Sequence, residues 1–243
     1  MSPHPRDFTQ DVIDAMAETP AAMPHLHMPL QSGSDRILQA MRRSYRSDRY
    51  LKIIEDVRTA MPDAGITTDI IVGFPGETEE DFQATLDVLS QARFTAAYTF
   101  QYSKRPGTPA ATMPDQIGDQ VMADRYTRLH KLQQEISGEI NTASIGKRYE
   151  VLISDHEGRH DSDRSRVNGR TPDFRLVHVE SDQARPGDIA DVTISEGSPN
   201  FMIGTVNSIR KTRGGDANAA RAAEIGNKSI MIGMPTLQKL KTL

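Results

Sequence analysis

A chain of 243 residues with 29 Lys and Arg against 33 Asp and Glu carries a formal charge of −4, so net charge draws it neither to nucleic acid nor to an anionic membrane. It contains no cysteine, which excludes a disulfide scaffold and any thiolate ligand for zinc or an iron–sulfur cluster. No apolar run approaches the roughly 18 residues of a membrane span, and the start Met1-Ser2-Pro3-His4-Pro5-Arg6-Asp7 lacks an apolar signal region, so the cytoplasm is the expected compartment.

The charge is unevenly spread. Residues 1–145 carry 14 basic and 20 acidic side chains, residues 146–213 carry 11 of each, and residues 214–243 carry 4 and 2. In the first segment, short apolar stretches at His25 to Leu30, Ile66 to Gly73 and Ala96 to Tyr102 predict strands. Between them Tyr50, Ile53, Ile54, Val57 and Met61, and then Phe82, Leu86 and Leu89, recur at helical spacing. Strands alternating with helices define parallel βα units, an α/β fold. Ser47 and Thr78 are the expected N-caps, and Asp115 to Thr142 reads as a long closing helix. Three parallel strands close no barrel, so the sheet is expected to keep an open edge, an invitation to self-association.

From residue 146 the period changes from 3.6 to 2. Tyr149, Val151 and Ile153, then Phe174 to Val179, then Ala190, Val192 and Ile194 alternate as strands. Turn signals fall at Asn168-Gly169, Arg185-Pro186-Gly187-Asp188 and Ser198-Pro199-Asn200. Four or five short strands in this length predict a small all-β antiparallel barrel of the oligonucleotide-binding kind. The segment 214–243 is expected to be a disordered tail.

Three segments follow strand ends, where open βα folds build their sites. In His27-Met28-Pro29-Leu30-Gln31-Ser32-Gly33-Ser34, the polar groups of Gln31, Ser32 and Ser34 suit a ribose or an amino-acid end group, or Ser34 and Asp35 cap a helix. In Asp69-Ile70-Ile71-Val72-Gly73-Phe74-Pro75-Gly76-Glu77-Thr78, glycines let backbone approach a flat ligand, or serve only a tight connection; no Gly-Lys-Ser/Thr follows, so this is no phosphate loop. Tyr102-Ser103-Lys104-Arg105-Pro106-Gly107-Thr108-Pro109 brings cations to the same edge, for a ligand or for solvent. His25 and His27 have no further ligand at metal spacing and read as packing or solvent-facing residues; no Gly-x-Ser-x-Gly elbow supports a triad.

Taken together with Met41-x-Arg43-x-Tyr45, these segments, in this order and spacing, resemble the radical S-adenosylmethionine methylthiotransferases, and Arg105 before Gly107-Thr108 favours the branch that modifies tRNA. Residues 146–210, with Asn168-Gly169-Arg170-Thr171 and Gly187-Asp188-Ile189, resemble the family's RNA-binding TRAM barrel. The resemblance implies the C-terminal half of a partial radical barrel over 1–145, a TRAM-like barrel over 146–213, and a parent enzyme that methylthiolates the dimethylallyl-adenosine beside the anticodon, using S-adenosylmethionine and two 4Fe–4S clusters. By the same match Gln31, Ser32 and Ser34 would face the ribose or methionine part, Val72, Gly73 and Phe74 the adenine, and Arg105 the mouth. Arg164, Arg166, Arg170 and Arg175, with Lys147 or Arg148 beside them, would meet phosphates of a tRNA anticodon stem-loop. The family's cluster cysteines are absent, so the chain alone is expected to be inactive, with no catalytic residue and no metal ligand of its own. A non-catalytic RNA-binding piece and a threonylcarbamoyl-adenosine methylthiotransferase are the alternatives.

Overall fold

A computed structural model describes residues 3–154 and 166–212. After a helix α1 (Gln10–Glu18), which burial of Ile13 docks on the core, come β1 (His25–His27), α2 (Asp35–Ala40), α3 (Ser47–Ala60), β2 (Gly65–Val72), α4 (Glu79–Ala92), β3 (Ala96–Gln101) and α5 (Asp119–Thr142). The strands form a parallel sheet in the order β1-β2-β3, with β2 paired along its length to β3 and β1 lying beside only its first residues. Alternation along β2 sends Ile66, Ile70 and Val72 to the helix side, where they meet Tyr50, Ile53, Ile54 and Val57 of α3 and Phe82 and Leu89 of α4 in one apolar core.

Of the two expected N-caps one is found and one is displaced. Thr78 is the N-cap of α4 and makes a full capping box with Asp81. Ser47, expected as a cap, is the first helical residue of α3; Arg46 occupies the cap without a side-chain bond, and the Ser47 amide is satisfied instead by Asp35 Oδ1 at 2.8 Å.

The remaining strands, β4 (Arg148–Ile153), β5 (Arg166–Arg170), β6 (Leu176–Glu180), β7 (Ile189–Gly197) and β8 (Met202–Arg210), close into a barrel in the order β4-β5-β6-β8-β7. One contact, β6 with β8, is parallel, so the barrel is not wholly antiparallel as expected. Its core is small and aliphatic: Val151, Ile153, Val177, Val179, Ala190, Val192 and Ile194. Asn168-Gly169, expected as a turn, lies inside β5, where Asn168 pairs with His178 and Gly169 with Val177. A Cβ on Gly169 would sit 2.4 Å from Leu152 O, so the glycine serves close strand approach in a tight barrel. The chain reverses three residues later, where the amide of Phe174 bonds Thr171 O at 2.9 Å.

The sheet and the barrel meet along the end of α5. Asn141 donates to Ser198 O at 2.7 Å, Gln134 to Asn200 Oδ1 at 2.9 Å, and the turn after β5 presses Asp173 O against Gly65, whose missing Cβ would lie 2.2 Å from it. The expected tail at 214–243 lies outside the described residues.

Candidate functional site

The turn after β1 is built by hydrogen bonds from far along the chain. Where the strand leaves its ladder, Met28 O accepts from Tyr50 Oη at 2.7 Å and Thr68 Oγ1 at 2.9 Å, and Leu30 O accepts from Tyr45 Oη at 2.9 Å. Burial pushes the Tyr45 hydroxyl up to about 12, so it stays a donor at neutral pH. Gln31 then adopts φ +67, with its amide on Asp69 O at 2.8 Å and its carbonyl taken by the amide of Ile71 at 2.9 Å. Ser32 and Ser34 turn inward, and Ser34 serves as the helix cap that was the alternative to facing a ligand. The Ser34 hydroxyl caps α2 through the Ile37 amide at 3.3 Å and donates to Asp81 at 2.6 Å, while fully buried Ser32 lies beside Thr85 Oγ1. Gly33 is required there because a Cβ would fall 2.5 Å from Ala84 O, backbone that cannot yield.

Asp81 is the hub that joins this turn to the one after β2. Besides Ser34 it binds Arg36 and accepts from the Thr78 amide at 2.9 Å, and Arg36 also reaches Gly76 O at 2.6 Å. Burial acts to raise the Asp81 carboxyl, but bonds from Arg36, Ser34 and Thr78 outweigh it and hold the group far below the usual carboxylate range. A second buried tie holds the loop itself. Glu77 accepts from the Gly73 amide at 2.8 Å and from Arg125 of α5 at 2.8 Å, with side chains 1% and 6% exposed. Burial pushes the Glu77 carboxyl up against those two partners.

These turns and the segment after β3 enclose a cavity of about 650 Å³ at the carboxyl ends of the strands. Of the sequence-predicted residues it brings together Gln31, Phe74 and Arg105. Val72 and Gly73 lie behind the wall: Val72 O accepts from Tyr102 and the Gly73 amide is given to Glu77. The cavity adds Arg42, Arg43, Asp69 and Tyr102, which the reading of the residues did not single out as site residues. Phe74 and Tyr102 stand edge to face at 5.4 Å, and Tyr102 Oη is buried without a partner. Arg42, Arg43 and Arg105 are exposed and make no side-chain hydrogen bond or ion pair among the described residues.

On the barrel the arginines part company. Arg166 pairs with Glu180 at 3.4 Å, and Arg170 lies over the Phe174 ring at 5.0 Å with its guanidinium 3.3 Å from Phe174 O. Arg175, expected at phosphates, is instead a brace: its side chain is 11% exposed, bound to Asp173 at 2.6 Å and to Ser144 Oγ of the α5 end at 2.7 Å, over the Tyr149 ring. Arg148 pairs with Asp191, and Arg164 lies outside the described residues.

Residues 1–89 match the family model described as the Radical SAM superfamily. Among solved structures, a coproporphyrinogen III oxidase from Escherichia coli described as a radical SAM enzyme aligns with a TM-score of 0.49 at 16% identity, over 78% of this chain and 45% of that one. More particularly, the chain is homologous along nearly its whole length to proteins named tRNA-2-methylthio-N(6)-dimethylallyladenosine synthase. It is 57% identical to that of Acidothermus cellulolyticus over 98% of this chain and 48% of the relative, and 56% identical to that of Kineococcus radiotolerans over 98% and 49%. For Mycolicibacterium vanbaalenii the identity is 56% over 97% and 47%. The chain spans about half the length of the curated relatives it matches.

Iron–sulfur clusters do not fit the residues present. The sequence has no cysteine, and among the described residues no three His, Asp or Glu side chains converge as a metal site.

Proposed function

We propose that this chain is the cofactor-cradling and RNA-holding part of a tRNA methylthiotransferase that acts in the cytoplasm on the dimethylallyl-adenosine beside the anticodon. The observation that carries this reading is the identity of 54–57%, over 96–98% of the chain, to synthases of that name.

S-adenosylmethionine suits the mouth cavity, where the unpartnered Tyr102 hydroxyl, the Gln31 amide and the Asp69 carboxylate offer both donors and acceptors around an aromatic wall. When bound it supplies a methyl group activated on a sulfonium sulfur. Phe74 would pack against its adenine, Asp69 would meet its ammonium, and Arg105 or Arg43 its carboxylate. Closure of the turns by Asp81 and Glu77 keeps this wall in place before any ligand arrives. Because no thiolate is present, the chain alone is expected to remain colourless when reconstituted with iron and sulfide and to leave S-adenosylmethionine uncleaved. On the barrel, Arg166 and Arg170 would meet phosphates of an anticodon stem-loop. The absence of cysteine specifically favours the second reading, a piece that binds RNA and performs no chemistry by itself.

The decisive experiment joins this chain to the remaining half of the Acidothermus synthase and expresses the chimera in a bacterium lacking its own enzyme. Mass spectrometry of tRNA nucleosides should show the methylthio group returned to dimethylallyl-adenosine. Gain on threonylcarbamoyl-adenosine would overturn the substrate, and no gain from a soluble chimera that cleaves S-adenosylmethionine would overturn the methylthiotransferase reading.

A further inference from the structure

The end of the sheet opposite the mouth holds a second cavity, of about 400 Å³, whose wall is drawn from the helices, the strand entries and the barrel together. The last turn of α3 contributes Arg58, the chain entering β2 contributes Asp63, and the connection from α4 to β3 contributes Arg93. The barrel contributes Lys147, just before β4, with Asp173 and Arg175 from the turn after β5. A space of this size lies in the range that small ligands occupy. Four cations thus share its wall with two carboxylates.

Two of the four cations are neutralised within the fold. Arg175 is bound to Asp173 at 2.6 Å, and Arg93 gives one guanidinium nitrogen to Glu139 of α5 at 2.6 Å. The other two have no carboxylate among the described residues. Arg58 is half-buried, and its one side-chain hydrogen bond there runs to Arg93 O at 2.8 Å; Lys147 is exposed and makes none. Burial and the neighbouring Arg93 charge push the Arg58 guanidinium below its ordinary value, as happens where one cation stands beside another without an anion between them. Helices α3, α4 and α5 all end at this side, and helix carbonyl ends favour cations. Arg58 meets that demand at α4 with a single N–H, which leaves its other donors and the whole of Lys147 unused. Arg93 itself is held at φ +47, the left-handed position after a helix that glycine ordinarily fills, so the fold accepts a disfavoured backbone to set an arginine there.

We infer that this cavity binds the phosphate group of a phosphate ester, with the Arg58 guanidinium, the remaining N–H groups of Arg93 and the Lys147 ammonium as its donors. Guanidinium forks match phosphate oxygens in pairs, and a lysine adds a compact charge beside them. A bare phosphate would fill only a small part of about 400 Å³, so the space beside the cations takes the sugar to which the group is attached. The ester is a free sugar phosphate or a stretch of RNA backbone, which present the same group. The inference stands on this junction and does not need the function proposed above.

The test titrates the whole chain in a calorimeter with ribose 5-phosphate at millimolar concentration, the ionic strength held constant with chloride, and repeats the titration in the presence of an RNA stem-loop. The ester should bind, and Lys147→Gln and Arg58→Gln should each weaken it by about tenfold. Arg58→Lys should recover only part of the loss, because an ammonium keeps the charge without the fork. Lys52→Gln removes the same charge from α3 at a residue already held by Glu55 and Asp56, each at 2.9 Å, and should change nothing. Lys147 makes no bond in the fold, so its variant reports on the site whatever Arg58→Gln does to the end of α3. Displacement of the ester by the stem-loop, lost in Lys147→Gln, would identify RNA backbone as the source of the phosphate, and ester binding without displacement would identify a free sugar phosphate. Failure of the ester to bind, or ester binding unchanged with Arg58 and Lys147 both replaced, would overturn the site and leave the cations as caps for the helix ends. Neither of those failures would touch the function proposed above, which rests on the likeness to the synthases.

Discussion

The barrel gives every strand two partners and fills its centre with valine, isoleucine and alanine, whereas the three-stranded sheet stops at β1 and β3 and covers only one of its faces. Closure leaves the barrel without edges and with a core of its own. The sheet lacks that security, and the turns at its carboxyl end are pinned by ion pairs, a buried one of Glu77 on Arg125 and one of buried Asp81 on exposed Arg36. The contrast teaches a division of labour: the closed unit can hold a ligand on its outside at little structural risk, while the open unit keeps a face and a mouth accessible and needs fixed polar ties to do so.

The sharpest way to break the comparison is Arg125→Ala. It leaves the Glu77 carboxylate buried beside Gly73 with its cation gone, a loss of about 3–5 kcal/mol. Hydrogen exchange should rise throughout β1 to α5 and leave the barrel amides protected; equal loss in both regions would show that they unfold as one. Next comes Gly65→Ala, which drives a Cβ into the backbone of Asp173 and is expected to cost about 1–3 kcal/mol. Its exchange signature should appear on both sides of the junction, in β2 and in the 171–175 turn, unlike that of any change within one region.

A smaller effect, with a pH signature, is expected of Asp81→Asn, about 1–2 kcal/mol at neutral pH. Because the folded carboxyl lies below its ordinary value of 3.8, its ionisation stabilises the fold above that value, and the contribution is lost as falling pH protonates the folded state. Denaturant midpoints of variant and wild type should therefore begin to draw together only below about pH 4 and keep converging as the pH falls toward the much lower folded value, and a difference that did not shrink over that range would assign the effect to shape instead of charge. The least change in stability, below about 1 kcal/mol, is expected of Arg166→Ala with Arg170→Ala, whose partners are exposed. The same variant should bind all stem-loops more weakly and flatten the dependence of affinity on salt.

Much of the parallel unit was legible because its strands are short apolar runs and its helices keep a 3.6 period; α4 even announces its start with Thr78 and Asp81 three apart. Helix α1 was missed, although Val12, Ile13 and Met16 form a small apolar stripe. The barrel was readable in kind, but Asn168-Gly169 carries the commonest hairpin signal and was misassigned because the need for glycine came from Leu152 on a neighbouring strand. Side-chain direction was the least legible property. Nothing local reveals that Ser34 faces Asp81 or that Arg175 faces Ser144, since those partners lie 47 and 31 residues away. Arg42 escaped notice, and Arg43 entered only within the motif Met41-x-Arg43-x-Tyr45, for the converse reason: an arginine after a short helix looks like ordinary surface until the fold places a cavity beside it.

Strand β3 links the barrel end of the molecule to the mouth. Its six residues, Ala96–Gln101, rise about 3.3 Å each, and successive side chains point to opposite faces. Inserting or deleting one residue would change the span by about 3.3 Å and would also turn Tyr98 and Phe100 toward the helices, exchanging them with Ala97 and Thr99. Single steps are thus forbidden, and only changes of two residues preserve the face. Any change in the length of this strand that keeps both rings on one face must come in steps of two residues.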